Sequence, residues 1–133
     1  MAAYSKFEGW VGYLGLGGVN LNTDTIRILL TNSAPSASAD DVLGDVTDLS
    51  TAFGYTAGGA DTTNTYSEAS GTGSLVGTKV VWTAGAADWI ASRYVVAYTD
   101  ESTTITDGLI GWWDYGAGGF TLGNGETFSV KFN

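Results

Sequence analysis

A chain of 133 residues, 44% of them apolar and five of them tryptophan, fits one domain with a substantial core. It has no cysteine and no histidine, which excludes disulfides, thiolate metal sites and the side chain most used for proton transfer near neutral pH. Fourteen acidic against five basic residues leave a net charge of −9, which argues against nucleic acid and against an anionic membrane surface as partners.

The opening "MAAYSKFEGW" has no basic stretch followed by an apolar one, so no secretory signal peptide is expected. No apolar run approaches the roughly 20 residues that cross a bilayer, and a soluble chain made in a cytoplasm is expected. Residues 1–18 read as an N-terminal helix and turn. Phe7, Trp10, Val11 and Leu14 fall at i, i+3, i+4 and i+7, one stripe of a helix. Ser5 with Glu8 has the spacing of a capping box, and Gly15, Gly17 and Gly18 supply a stop.

Asn20, Asn22 and Asp24 alternate as calcium ligands do, but the place of the bidentate glutamate is taken by Thr31. A polar turn is the simpler expectation. From Thr25 the period changes to two. "TIRILLT" sets Ile26, Ile28 and Leu30 on one face and Thr25, Arg27 and Thr31 on the other, a strand with one buried side. Residues 32–60 then hold the only proline, a Ser/Ala run, the acids Asp40, Asp41, Asp45 and Asp48, and a Gly-Gly turn. They read as a long ordered loop with a brief helical turn near Val42, Val46 and Leu49, and loops of this length are usually functional.

"NTYSEAS" and "GSLV" read as one or two weaker strands, and "TKVVWT" and "SRYVVAYT" as strong ones. In "GLIGWWDYG", strict alternation puts Leu109, Gly111, Trp113 and Tyr115 on one face and Ile110, Trp112 and Asp114 on the other. The paired indoles would then serve two layers. "TFSVKFN" closes the chain with Phe128, Val130 and Phe132 alternating against polar residues. Short strands, Gly-rich turns and one terminal helix describe a mainly β domain, a β-sandwich or a jelly-roll-like one, without repeats or a second domain.

No constellation for catalysis stands out. "GLGGVN" lacks the third glycine of a dinucleotide loop, and "GTGSLVG" is not followed by Gly-Lys-Ser/Thr. Asp114, between Trp113 and Tyr115, is the most tempting acid but has no evident partner. Neither an enzyme nor a cofactor or metal site is expected. Charged residues make up only 14%, against about 25% in an average domain. Three lysines and one proline are few for guarding strand edges, so the edges and apolar rims are expected to be covered by other molecules. Phe7, Trp10, Trp89, Arg93, Trp112, Trp113 and Tyr115 are the candidates for a protein interface, being of the types in which binding energy concentrates.

Whole segments carry a resemblance. "TDTIRILLTNSAP", the acidic–apolar stretch after it and "GYTAGG", then "SRYVVAYTD", "LIGWWDYG" and "NGETFSVKFN", resemble small structural proteins of tailed bacteriophages, from about residue 5 to the C-terminus. The resemblance implies a virion structural protein, foremost a capsid decoration (cement) protein on the outside of the head. Its implied partners are the major capsid protein and further copies of itself, a trimer by analogy. A tail or baseplate component and a carbohydrate-binding β-sandwich module are the alternatives.

Overall fold

The computed structural model describes residues 2–87, 89, 91–100 and 105–132. Its elements run β1 (Ala3–Lys6), α1 (Gly9–Gly15), β2 (Thr25–Thr31), a 3-10 turn (Leu43–Asp45), β3 (Ala60–Thr62), β4 (Asn64–Ala69), β5 (Thr72–Gly77), β6 (Val80–Thr83), β7 (Tyr94–Asp100), β8 (Leu109–Asp114) and β9 (Thr127–Val130). The protein is mainly β, with a single short helix near its N-terminus among the described residues.

Five strands form an antiparallel sheet in the order β1-β8-β7-β2-β3, and β4-β5 and β6-β9 form two separate pairs. The sheet buries both faces. On one, Ile26, Ile28 and Leu30 of β2 join Val95 and Ala97 of β7, and they pack with Val80 and Trp82 of β6 and Val130 of β9. These two layers make a sandwich of unequal halves. On the other, Leu29, Val96, Tyr98 and Leu109 pack with Phe7. That face is closed by the long loop, which contributes Leu43 and Val46. β7, buried at all but its last residue, therefore reads as an almost continuous apolar run rather than an alternating one.

The loop is held by its own polar groups. The Asp45 carboxylate accepts the N–H groups of Asp41 and Val42 at 3.0 and 3.1 Å, and those two bonds hold its carboxyl below the usual range. Leu43 N–H donates to Asp107 O, Leu109 N–H to Asp41 O, and Leu49 N–H to Leu30 O. Asp48 accepts the Tyr55 hydroxyl at 2.5 Å and the Gly58 N–H, while the Tyr55 oxygen accepts Leu30 N–H at 3.1 Å. Gly59 ends the loop at φ +74, where a Cβ would sit 1.9 Å from the Ile28 carbonyl oxygen. Only glycine lets the chain pass that close to β2.

Four expectations need correction. The short N-terminal helix is present as Gly9–Gly15 but starts later than its spacing suggests: residues 3–6 form an edge strand on β8, so Ser5 lies in β1 and no capping box forms. Strand pairing outweighs the helical spacing because it gives this backbone a hydrogen-bond ladder. Of the helical stripe only Trp10 and Phe7 are buried, Phe7 on the opposite side of the sheet, while Val11 is 55% and Leu14 43% exposed. β2 has two buried sides, since Leu29 and Thr31 lie under the loop. Last, the faces of β8 are not those of strict alternation. Ala97 pairs with Gly111 but Tyr98 with Leu109, so Ile110 is an extra residue in a bulge. The bulge puts Leu109 on the side of Trp112 and Ile110 on the side of Trp113.

Candidate protein-docking site

The two indoles of β8 do point to opposite layers. Trp112 lies over Phe7 with ring centroids 4.6 Å apart, on the loop-covered face. Trp113 lies between Tyr4 of β1, at 5.2 Å, and Phe132, stacked at 6.3 Å. Both are half-buried. Tyr4 reaches Trp113 because Gly111 opposes β1 without a side chain: a Cβ there would meet the Tyr4 ring at 2.6 Å.

Trp113 stands in an open trough on the side of the sandwich where β1 and β9 both end their sheets. The main depression, about 690 Å³, is lined by Tyr4, Leu75, Ile110, Trp113, Lys131 and Phe132 with Ile26 and Ala97 at its floor. A second, about 390 Å³, continues along Ala2 and Tyr4 on one wall and residues 129–132 on the other. Lys131 also borders a third, about 550 Å³, with Thr65, Val76 and Lys79 beside the β4–β5 hairpin. The rings extend beyond the trough, through Tyr115 and Phe120 (5.4 Å) to Phe128, which stacks on Phe120 at 4.1 Å. Burial raises the pKa of Tyr4 and Tyr115, so both present neutral hydroxyls at physiological pH. Such a wall offers apolar area and ring faces to a partner.

The interface candidates separate by burial. Phe7, Trp10 and Trp89 lie inside the chain's own core and present no ring to a partner. Their types suit an interface, but those rings are already spent on internal packing. Trp113 and Tyr115 line the trough. Trp112 lies on the opposite face of the sheet and is not part of it. Arg93 grips Asp114 through two bonds of 2.8 Å. Asp114 also accepts the Gly116 N–H, and the guanidinium together with that bond holds its carboxyl down to about 2. A carboxylate so engaged stays ionised and is not poised to donate a proton near neutral pH. Asn20, Asn22 and Asp24 close a turn on one another, with Asn20 N–H on the Asp24 carboxylate and Asn22 N–H on the Asn20 amide oxygen.

Tyr4, Leu75, Lys131 and Phe132 were not singled out from the sequence as interface residues. Phe132 had a signal in the alternation of "TFSVKFN", whereas Tyr4 was hidden in a segment read as helix. Among the described residues no helix is long and apolar enough to cross a membrane, and no three acidic side chains gather as a metal site. Compared with known protein families, with curated proteins and with solved structures, the chain matches none.

Proposed function

We propose that the chain is a virion structural protein of a tailed phage, a capsid decoration protein that holds the outer surface of the head through protein–protein contacts. The observation that carries a binding role is the row of half-exposed rings on one open side of the sandwich, bordered by two unpaired strand edges. Soluble chains seldom leave such a feature bare. The resemblance of the β2, β7, β8 and β9 segments to phage structural proteins supplies the virion. A net charge of −9 suits the outside of a DNA-filled shell, where it meets no phosphates of like sign. A protein that binds only the assembled lattice stabilises it by mass action, and many copies make modest single contacts sufficient.

The deciding experiment is density mapping of purified particles with a copy count of this chain. Decoration predicts many copies on the head exterior and heads that become fragile when stripped. Copurification with isolated tails instead would favour the tail reading. Glycan binding lost on Trp113→Ala would favour the carbohydrate module.

A further inference from the structure

We infer that the trough takes an extended acidic and apolar segment of a different protein, which adds as a strand to the outer edge of β1. The inference rests on the protein-binding reading above but not on the virion assignment.

Two observations define the shape of the occupant. β1 is the last strand of its sheet and β9 the last of its pair. Among the described residues no main-chain bond joins the outer edge of either to another segment. Both edges border one depression, with Ala2 and Tyr4 opposite residues 129–132. An extended backbone laid there finds a row of N–H and C=O groups on β1, and its alternate side chains face Trp113 and Phe132.

Charge defines its chemistry. The protein carries fourteen acids and five bases, yet among the described residues the three connected depressions contain Lys79 and Lys131 and no carboxylate side chain. Arg27 and Arg93 are paired with Asp61, Asp100 and Asp114, whereas neither Lys79 nor Lys131 has an ion pair among the described residues. The trough is thus a cationic strip in an anionic molecule, which steers and orients an acidic partner.

A second copy fits poorly. The chain's own carboxylates are largely committed. Asp24, Asp40, Asp45, Glu68 and Glu126 accept backbone N–H groups in turns, and Asp61, Asp100 and Asp114 hold the arginines. Two molecules of −9 each also repel. The occupant is therefore a segment of another protein, with apolar and acidic residues at every second position.

The test uses a fluorescent peptide repeating Val-Thr-Asp-Thr, and its counterpart with Lys for Asp, titrated into the whole chain. Anisotropy is expected to show binding of the acidic peptide only. Its affinity should fall about tenfold in the double variant Lys79→Glu/Lys131→Glu, two exposed charges being reversed. Hydrogen exchange should slow along Ala3–Lys6 when the peptide is bound. Absence of binding overturns the inference, and so do equal affinities for the two peptides. Unchanged affinity in a variant whose circular dichroism and melting match the wild type does the same, as does binding without protection of β1. Binding by a chain absent from virions sinks the decoration reading and leaves this one. Head occupancy without peptide binding does the reverse.

Discussion

Arg93 clasps Asp114 in a fork, Nε on Oδ1 and Nη2 on Oδ2, each at 2.8 Å, across the paired ends of β7 and β8. The Arg93 carbonyl in turn accepts the Tyr115 N–H. The fork therefore fixes the end of β8 that carries Trp113 toward the trough.

Because the Asp114 carboxyl is held at about 2 against an ordinary 3.8, the folded chain releases this proton more readily than the unfolded one. The stabilisation is complete above about pH 4 and is lost as pH falls through about 2. Melting temperature measured from pH 6 down to pH 2 should drop more steeply for the wild type than for Asp114→Asn, which starts lower and lacks this part of the slope.

Phe7 is fully buried against Trp112, so Phe7→Ala is expected to cost about 3–5 kcal/mol. Leu16, 87% exposed just past α1, should tolerate alanine within about 0.5 kcal/mol. Urea unfolding of the two variants separates a core residue from an ornament of the surface.

Gly59→Ala places a Cβ against the Ile28 carbonyl at a positive φ. Backbone must shift, and the loop loses its seat on β2. A loss of about 2 kcal/mol or more is expected in urea unfolding.

Tyr98 donates to Gly58 O at 2.6 Å, and burial pushes its hydroxyl up to about 12. Tyr55 moves in the same direction, through burial first and then its bond to Asp48. A phenol whose folded pKa is raised keeps its proton where the unfolded chain has lost it. Stability should hold below about pH 10 and decline above it. Tyr98→Phe should flatten that alkaline decline, as read by melting temperature between pH 8 and 11.

How much of this was legible depended on whether the signal was local. β2 and β9 announced themselves by period-two alternation, and the loop by its turn formers and acids. The mainly β architecture followed from them. Phe7 misled because its spacing to Trp10 and Leu14 is helical, while its ring lies across the sheet from Trp10. β1 was unreadable as a strand because its partner β8 lies at the far end of the chain, and pairing at that distance leaves no local mark. The bulge at Ile110 was equally silent, since "GLIGWWDYG" alternates acceptably in either phase. The trough depended on both. Trp113 and Tyr115 were found by residue type, but Tyr4, Lys131 and Phe132 join them only through long-range packing.

The extra residue in β8 also works as slack. Val95 and Val96 hold Trp113 and Trp112 on their faces whether or not Ile110 is there, because the surplus position lies beyond that pairing. Losing it would straighten the strand and bring Leu109 into plain alternation with Gly111, with both indoles still where they are. A change of length just ahead of "WWD" would therefore leave the ring of the trough in place.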